Sequence, residues 1–435
     1  MKRSVYKQLK AWKSNSKRKP LILQGARQVG KTYLVNEFGK KEYSNYFYFN
    51  FEQDENLATL FENNLSPEKI IDNIGLYIGE KIVAKDTLLF FDEIQVAPKV
   101  LKSLKYFYEQ APEFQIIAAG SLLGVSFYKN ISFPVGKVNF LTMYPMSFSE
   151  FLVVSGEKLL AEKLDKIILP EPFPEILHTK LLDQLKIYLF LGGMPEVVQD
   201  YINNQDIKSV RIIQNEILEA YKRDFSKYTE KNQAIKTSEF WNSIPAQLAK
   251  ENKKFKYGDI KKGSRAKMFE QTIEWLRNAG LINVVYNLTT PKKPLSAYTD
   301  YSKFKVYLHD VGLLAAMLNI SSQLILSPTQ LFAEFNGAFI ENFVAQELLY
   351  YGYKKQFYWT SRSDAEVDFI IDSSQDIFPV EVKSGTSRNL KSLRSYSDKY
   401  NPKQVFRLSP RNLVQSGDFT NIPLYAVNVL TNLMQ

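Results

Sequence analysis

The chain has 435 residues, of which 45% are hydrophobic and 23% charged, a mix typical of a globular protein of about three domains. This composition excludes a collagen-like, coiled-coil or disordered chain. There is no cysteine, which excludes disulfides, thiolate zinc sites, iron–sulfur clusters and cysteine nucleophiles. The two histidines, His178 and His309, are too few for a histidine-rich metal site, and we expect structural roles for them. Any metal ion should therefore be Mg²⁺ or Mn²⁺ held by oxygen.

The formal net charge of +10 comes from two short segments. The N-terminal basic segment, residues 1–19, has eight Lys and Arg and no acidic residue. The central basic segment, residues 250–267, has eight Lys and Arg against two acidic residues. A run of like charge is either a solvated face or a contact for a polyanion such as DNA, and each segment is open to both interpretations.

No stretch approaches the roughly 18 consecutive apolar residues of a membrane-spanning helix. The first residues are charged and lack the apolar core and cleavage site of a secretory signal. The sequence therefore predicts a cytoplasmic, soluble protein with no membrane partner.

The first 150 residues alternate short apolar runs with helical stretches, which is typical of a doubly wound α/β layer with a parallel sheet. The predicted strands are 21–24, 46–50, 87–91 and 115–119, and the predicted helices between them include 32–38 and 100–110. From residue 150 to about 223 the pattern is helical, with a break at Gly192-Gly193-Met194-Pro195.

A phosphate-binding loop is predicted immediately after the first strand. The pattern G-x-x-x-x-G-K-[ST], which follows a strand and opens a helix, is met by Gly25, Ala26, Arg27, Gln28, Val29, Gly30, Lys31 and Thr32. In such a loop the backbone N–H groups and the helix N-terminus bind phosphate oxygens. Lys31 should bridge the β- and γ-phosphates of ATP, and the Thr32 hydroxyl should ligate Mg²⁺.

A pair of carboxylates follows the strand at 87–91. Asp92 can hold Mg²⁺ through water, and Glu93 can act as the general base on the attacking water. Because the strand 46–50 lies between the two motifs in the chain, we predict a P-loop NTPase of the additional-strand type with a catalytic glutamate. The next strand ends at Gly120 and Ser121, and Ser121 is either a contact to the γ-phosphate or the water, or a turn serine.

Four segments together resemble one family: GARQVGKT at 25–32, FDEIQ at 91–95, AGSLL at 119–123 and GGMPE at 192–196. They are similar to bacterial and archaeal AAA-type ATPases with a C-terminal domain of unknown function. The resemblance covers essentially the whole chain and implies an AAA-like parallel sheet with a helical lid. It also implies that Arg3 lies near the adenine.

The resemblance does not fix the oligomeric state or the protein partners. AAA-type domains often assemble into rings, so a homo-oligomer or a protein partner remains open. Arg223, at the end of the lid, is a candidate sensor of the γ-phosphate, and the alternative is a surface or ion-paired arginine.

Residues 235–315 predict a winged helix-turn-helix. Helices at 255–260 and 264–279 precede a strand pair at 280–286 and 304–308, with Lys292 and Lys293 at the tip of the hairpin. Lysines near a recognition helix and a wing neutralise DNA phosphates. The central basic segment overlaps the two predicted helices of this domain. The alternative is a module that packs against protein.

The C-terminal segment resembles the core of PD-(D/E)xK nucleases. Glu341 lies in an apolar helix, Asp368 in a strand at 366–371, and Glu381 and Lys383 in a strand at 378–383. Strand alternation puts Glu381 and Lys383 on one face of the sheet, next to Asp368. Asp368 and Glu381 would hold Mg²⁺ or Mn²⁺, Glu341 would ligate or position a second metal ion, and Lys383 would orient or activate the attacking water. The alternative is an exposed cross-strand ion pair.

The sequence therefore predicts three domains. These are an AAA-type ATPase domain with a helical lid at 1–230, a winged helix at 235–315, and a restriction-endonuclease-like α/β domain at 325–435. The leading hypothesis is an ATP-binding and ATP-hydrolysing protein coupled to DNA binding, with metal-dependent DNA cleavage left open. One alternative is a nucleotide-controlled switch or scaffold whose C-terminal domain binds DNA or protein without cutting. Another is an ATP-gated transcription regulator that acts through the winged helix.

Overall fold

The chain divides into two compact units. The computed structural model describes residues 1, 3–62, 64–120, 134, 136–167, 171–250, 254–321, 337–361, 365–373, 376–385 and 389–433. The first unit comprises Met1–Tyr144 with Asn278–Gly280, and the second comprises Pro145–Arg277 with Leu281–Gln435.

The first unit is built around a five-stranded parallel sheet. Its strands are β1 (Leu21–Gln24), β2 (Asn45–Asn50), β3 (Thr87–Asp92), β4 (Gln115–Ala119) and β5 (Asn139–Thr142). They lie in the order β2-β3-β4-β1-β5, and all neighbours are parallel. The helices are α1 (Val5–Ser14), α2 (Lys31–Glu42), α3 (Asn56–Thr59), α4 (Pro67–Ile78) and α5 (Pro98–Gln110).

Strand β3 shows why the apolar runs in the sequence predict this sheet. Every residue of β3 is buried, so both faces of the strand are covered. Parallel strands joined by helices are covered in this way, because the connecting helices pack on the two faces of the sheet. The predicted α/β fold with a parallel sheet is confirmed.

Two details of the sheet were not predicted from sequence. The strand that separates β1 from β3 in space is β4, whereas β2, which lies between the two motifs in the chain, is at the edge of the sheet. The opposite edge is formed by β5, which was not predicted because its residues are only half-buried or exposed and show no continuous apolar run.

The second unit contains two groups of helices and a mixed sheet. Its helices are α6 (Phe148–Val154), α7 (Lys158–Asp165), α8 (Glu175–Leu191), α9 (Pro195–Asn204), α10 (Ile207–Tyr228), α11 (Lys231–Leu248), α12 (Glu270–Asn278, whose last residue belongs to the first unit), α13 (Val311–Met317), α14 (Gly337–Tyr350), α15 (Lys391–Tyr400) and α16 (Val429–Leu433). Its strands are β6 (Ile282–Leu288), β7 (Thr299–Leu308), β8 (Gln356–Thr360), β9 (Glu366–Asp372), β10 (Ile377–Val382), β11 (Val405–Ser409), β12 (Val414–Ser416) and β13 (Phe419–Pro423). The strand order is β12-β13-β11-β10-β9-β8-β6-β7.

The predicted break at Gly192 and Gly193 is present, and it has a packing reason. Helix α8 ends at Leu191 and α9 begins at Pro195. Gly192 has a φ of +73°, and a Cβ there would lie 2.1 Å from a carboxylate oxygen of Asp310. The N–H of Gly193 donates to the same carboxylate at 2.6 Å. The glycines therefore let a buried aspartate approach the junction between two helices.

The predicted boundaries near residues 230 and 320 do not separate compact units. Helices α10 and α11 are divided only by Thr229 and Glu230, and both lie in the second unit, which begins at Pro145. The hairpin β6–β7, predicted as a wing, pairs through β6 with β8. The hairpin and the C-terminal strands therefore share one sheet.

In the segment predicted as a winged helix, the strand pair is present, but the helix predicted at 255–260 is only a 3-10 turn, and the winged-helix fold stays a prediction. Helix α11 is followed by a 3-10 turn at Tyr257–Asp259, then by a second turn at Ala266–Met268, α12 and the hairpin. Within the described part of the chain, every helix is too short or too polar to span a bilayer.

Candidate functional site

The loop between β1 and α2 has the backbone shape of a phosphate cradle. Gly25, Gln28 and Gly30 have positive φ angles of 146°, 67° and 91°. Gly25 also lies so close to Met143 that a Cβ would be 2.1 Å from its carbonyl oxygen. The loop then opens directly into α2, which begins at Lys31. Successive N–H groups and a helix N-terminus at one place form an anion-binding concavity.

The Lys31 ammonium is buried against this loop. It donates hydrogen bonds to the carbonyl oxygens of Gly25 and Ala26 at 2.9 and 2.8 Å. Burial lowers the pKa of Lys31 to about 8, and the negative charges of Glu93 and Asp92 oppose that shift. The pKa therefore lies close enough to neutrality for a bound polyanion to change the protonation of this group.

The two motifs meet at the carboxyl ends of β1 and β3, the two strands that lie on either side of β4. The Thr32 hydroxyl donates to a carboxylate oxygen of Asp92 at 2.7 Å, and the Tyr48 hydroxyl donates to the same oxygen at 3.2 Å. Burial raises the pKa of Asp92, while the hydrogen bond from Thr32 lowers it. A hydroxyl and a carboxylate at this separation are the oxygen donors that a P-loop site offers to Mg²⁺.

Glu93 stands next to Asp92 in a strained backbone conformation. Its φ is +54°, which a residue with a side chain rarely adopts, and such outliers concentrate at functional sites. The Gln95 amide nitrogen donates to the Glu93 carboxylate at 2.5 Å. Gln95 is the last residue of the FDEIQ segment, and the sequence by itself does not indicate a role for it. The structure makes it the residue that orients Glu93.

Arg3 is a second residue whose role only the structure shows. Its guanidinium is buried and donates to the carbonyl oxygens of Val29 at 3.1 Å and Tyr144 at 2.6 Å. Arg3 therefore links the Val29 carbonyl of the phosphate-binding loop to the backbone at Tyr144. Its predicted position beside the adenine stays a prediction.

In the second unit the structure brings together three of the predicted nuclease-like residues. The Glu381 carboxylate forms an ion pair with Lys383, and the N–H of Val382 donates to Asp368 at 2.8 Å. Burial raises the pKa of Glu381, and the neighbouring Lys383 opposes that shift. Asp368 on β9 and Glu381 on β10 therefore lie close together, with Lys383 just after the end of β10, and their nuclease-like role stays a prediction.

A lysine that the sequence analysis missed lies among the carboxylates. The Lys305 ammonium, fully buried on β7, lies 2.6 Å from Glu366, 3.4 Å from Glu341 and 3.7 Å from Asp368. Burial by itself would lower the pKa of Lys305, but Glu341, Tyr307 and the other carboxylates raise it well above its usual value. The group is therefore a cation within the cluster.

This arrangement does not fit the predicted metal site. Among the residues that the structure describes, no three carboxylates or histidines are gathered closely enough to hold a metal ion. Lys305 holds Glu341 and Asp368 through its ammonium, and the Tyr307 hydroxyl donates to the same Glu341 oxygen at 2.7 Å. The predicted ligands are therefore paired with lysines: Glu341 and Asp368 with Lys305, and Glu381 with Lys383.

Comparison with known families identifies the first site. Residues 17–152 match the AAA domain family, and this range contains the loop, Asp92 and Glu93. We refer to this matched segment as the AAA domain. The remainder matches two domains of unknown function, DUF8612 over residues 182–324 and DUF4143 over residues 336–430.

Individual relatives are distant. An uncharacterized protein of Methanocaldococcus jannaschii is 26% identical over 362 residues, which are 80% of this chain and 71% of that protein. A Walker-type ATPase of Pyrococcus abyssi is 15% identical, with a TM-score of 0.46 over 72% of this chain and 94% of that one. The Aeropyrum pernix ORC1 protein in complex with DNA is 12% identical, with a TM-score of 0.29 over 73% and 90% of the two chains. The AMPPCP-bound DnaA of Aquifex aeolicus is 17% identical, with a TM-score of 0.24 over 63% and 85%.

The remaining residues predicted to bind nucleotide differ in burial, and one of them is not described by the structure. Ala26 and Val29 are buried in the loop, and Arg27 is half-buried. Ser121 lies outside the described residues. Arg223 is exposed on α10 of the second unit, and its role as a γ-phosphate sensor stays a prediction.

The two basic segments have different surroundings. In the N-terminal segment, Lys10 pairs with Glu42 at 2.9 Å and Lys13 with Asp86 at 3.4 Å, so part of its charge is neutralised within the AAA domain. In the central segment Lys250 pairs with Asp259 at 2.8 Å. Besides Lys250, the exposed members of that segment are Lys256, Lys261, Lys262, Arg265 and Lys267.

Both histidines are buried in the second unit. His309 donates through Nδ1 to the Leu281 carbonyl at 3.0 Å, and burial lowers the pKa of His309 to about 4. His178 lies 2.8 Å from the Tyr425 hydroxyl, and burial lowers the pKa of His178. These contacts agree with the expected structural roles.

Proposed function

We propose that the protein is a Mg²⁺-dependent ATPase whose second unit binds DNA. The observation that carries the catalytic part is the hydrogen bond between Thr32 and Asp92, with Glu93 as the next residue. It joins the phosphate-binding loop to the carboxyl end of β3, which is where a P-loop enzyme needs a metal-binding pair and a base.

Each residue of the site has a distinct task in this proposal. The loop N–H groups and the Lys31 ammonium bind the phosphates, and Lys31 exchanges its bonds to loop carbonyls for bonds to phosphate oxygens. Thr32 and Asp92 would hold Mg²⁺, which supplies positive charge to the phosphate oxygens. Glu93, oriented by Gln95, accepts the proton of the attacking water.

The catalytic assignment is tested with Glu93→Gln, which keeps the shape of the side chain and removes its basicity. We expect ATP turnover to fall by about 10²- to 10⁴-fold, the range for loss of a general base, with ATP affinity preserved. Glu55→Gln is the matched control, because Glu55 is exposed in the same unit. Turnover at the wild-type rate in Glu93→Gln would reject Glu93 as the base.

The DNA-binding part rests on the exposed charge of the central basic segment. Five of its exposed cations, from Lys256 to Lys267, lie on the turns that lead into α12, and acidic residues are sparse in this stretch. Clustered cations bind nucleic acid by neutralising phosphates and releasing counterions. The wing-like hairpin contributes less than the sequence suggested, because Lys293 at its tip pairs with Asp372 at 3.1 Å.

A charge-reversal pair tests this part. We expect Lys261→Glu/Lys262→Glu to weaken binding of a fluorescent duplex by at least about tenfold at low salt and to flatten the salt dependence. Lys354→Glu/Lys355→Glu is the control, since it reverses the same charge at another exposed lysine pair of the second unit. Equal loss in both variants would indicate a general charge effect and would contradict a DNA site at residues 256–267.

A second candidate function concerns the C-terminal cluster. The adjacency of Asp368, Glu381 and Lys383 supports a nuclease-like site, whereas Lys305 among the carboxylates favours a unit that binds without cutting. Plasmid nicking with Mg²⁺ or Mn²⁺, abolished in Asp368→Ala, would support cleavage. Intact plasmid under all metal and nucleotide conditions would support the binding role alone.

A further inference from the structure

The Asp92 carboxylate receives a hydrogen bond from β2, the edge strand of the five-stranded sheet. Strand β2 pairs with β3 so that Tyr48 stands opposite Phe90, two positions before Asp92. Because side chains alternate along a strand, Phe90 and Asp92 share one face of β3, with Tyr48 beside them. The Tyr48 ring packs on the Phe90 ring, with 5.3 Å between centroids, and its hydroxyl donates to Asp92 Oδ2 at 3.2 Å. Tyr48 therefore reaches the site from a strand that lies outside both nucleotide-binding motifs.

The direction of this hydrogen bond is fixed by Asn50. The Oδ1 atom of Asn50 accepts the backbone N–H groups of Glu52 and Gln53, both at 3.0 Å. The amide nitrogen of Asn50 is thereby left for Tyr48, and it donates to the Tyr48 hydroxyl at 3.1 Å. An amide nitrogen only donates and an ionised carboxylate only accepts, so the Tyr48 proton points to Asp92. Hydrogen bonds that run in one direction along a chain strengthen each other.

These contacts hold the Asp92 carboxylate in one rotation. Its Oδ2 accepts from Thr32 and Tyr48, and its Oδ1 accepts the Glu93 N–H at 3.0 Å. An ionised carboxylate has about four acceptor positions, so among the described residues these three donors leave one position, on Oδ1. The Thr32 proton also points to Asp92, which leaves the lone pairs of the Thr32 oxygen for a metal ion. Both oxygen donors of the proposed Mg²⁺ site are therefore oriented by the protein itself.

We propose that Tyr48, oriented by Asn50, is a positioning residue of the Mg²⁺ site: it keeps Oδ1 of Asp92 available to the metal shell and so sets the Mg²⁺ concentration that the protein requires. The inference rests on the proposed ATPase function. Without the Tyr48 hydroxyl, Oδ2 keeps only the Thr32 donor, and the carboxylate turns more freely. Binding of Mg²⁺ must then also order Asp92, which weakens the binding.

The test is Tyr48→Phe, which removes the hydroxyl and keeps the ring against Phe90. The net contribution of one hydrogen bond changes an equilibrium constant roughly 2- to 12-fold, so the Mg²⁺ concentration for half-maximal ATP turnover should rise by about that factor. At saturating Mg²⁺, kcat should stay within about twofold of the wild-type value, because the ligands themselves are intact. The same Mg²⁺ titration is read from binding of a non-hydrolysable ATP analogue, which requires no turnover.

Tyr46→Phe is the matched control, because Tyr46 lies two positions earlier on β2 and its hydroxyl donates to Asn36 instead. It should leave the Mg²⁺ response unchanged. A folded Tyr48→Phe, checked by circular dichroism, whose Mg²⁺ response equals that of Tyr46→Phe would overturn the proposal. Analogue binding without any turnover in the wild type would reject the proposed hydrolysis, and the analogue titration would still decide the role of Tyr48.

Asn50→Asp tests the orienting contact. An aspartate keeps the acceptor for the N–H groups of Glu52 and Gln53, but it lacks the amide donor and competes with Asp92 for the Tyr48 proton. The added charge acts in any background, so the change is measured both in the Tyr48 protein and in Tyr48→Phe. We expect Asn50→Asp to raise the Mg²⁺ requirement at least about twofold more when Tyr48 is present. An equal change in both backgrounds would contradict the assignment of Asn50.

Discussion

The Thr32 hydroxyl and the Asp92 carboxylate are joined by a hydrogen bond of 2.7 Å across 60 positions of sequence. Thr32 lies in the first turn of α2 and Asp92 ends β3, so the bond ties the phosphate-binding loop to the strand that Glu93 follows. Asp92 is buried, and the bond from Thr32 helps to keep its carboxylate charged against the effect of burial.

We therefore expect Thr32→Val, which is close in shape but lacks the hydroxyl, to weaken the response to Mg²⁺. Hydrogen bonds to a charged group are worth about 1.5–3 kcal/mol, so the Mg²⁺ concentration for half-maximal ATP turnover should rise roughly 10- to 150-fold. Thr32→Ser is the control because it retains the hydroxyl. A Mg²⁺ response in Thr32→Val equal to that of Thr32→Ser would remove Thr32 from the metal site.

Nucleotide affinity should depend on pH through Lys31. The pKa of Lys31 is lowered to about 8, and the phosphates bind the charged form, so affinity is full below that pH and is lost as the pH rises through it. Above the pKa, the dissociation constant should increase by up to about tenfold for each pH unit. Titration of a fluorescent ATP analogue between pH 7 and 9.5 measures this. Lys31→Arg should show no such dependence, because a guanidinium stays charged.

Arg3→Met should reduce nucleotide affinity although Arg3 is remote in sequence from the P-loop. The substitution leaves the carbonyls of Val29 and Tyr144 without their donor, at about 1–3 kcal/mol for each buried group, and it loosens the loop. Lys13→Met is the control, because Lys13 pairs with Asp86 instead of the loop. Both variants should unfold at lower temperature, but only Arg3→Met should weaken ATP-analogue binding. Equal affinities in the two variants would reduce Arg3 to a general structural role.

Gly192→Ala should destabilise the second unit. The φ of +73° is strained for alanine, and its Cβ would meet Asp310 at 2.1 Å, so the free energy of unfolding should fall by about 1–3 kcal/mol. Gly156→Ala separates the two effects, because Gly156 has a φ of +90° and no atom within 4 Å of the added carbon. Urea unfolding should show a clearly larger loss for Gly192→Ala, and equal losses would mean that crowding by Asp310 is unimportant.

Most of the AAA domain could be predicted from sequence because its signals are local. The loop from Gly25 to Thr32 is contiguous, and β3 is an apolar run that ends directly in Asp92 and Glu93. The roles of Arg3 and Gln95 were not predictable, because each depends on a contact made after the chain folds. Gln95 stands two positions from Glu93, and nothing in that spacing indicates a hydrogen bond between their side chains.

For the C-terminal cluster, the sequence indicates the carboxylates but not the buried lysine among them. Glu341, Asp368, Glu381 and Lys383 form a pattern that sequence can indicate, but Lys305 precedes it on a strand whose last five residues are all buried. A lysine in a strand is ordinarily expected to face water. Its burial here follows from the pairing of β6 with β8, which brings β7 into the C-terminal sheet.

By itself, the sequence determined that the chain contains a parallel α/β layer with a phosphate-binding loop, because backbone conformation and apolar runs are encoded by neighbouring residues. Only the tertiary structure decided that the predicted wing and nuclease-like strands form one sheet, and that the charge at the centre of the carboxylates belongs to Lys305. The reason is physical: charges separated by tens of residues interact only once strand pairing has brought them together and removed the water between them.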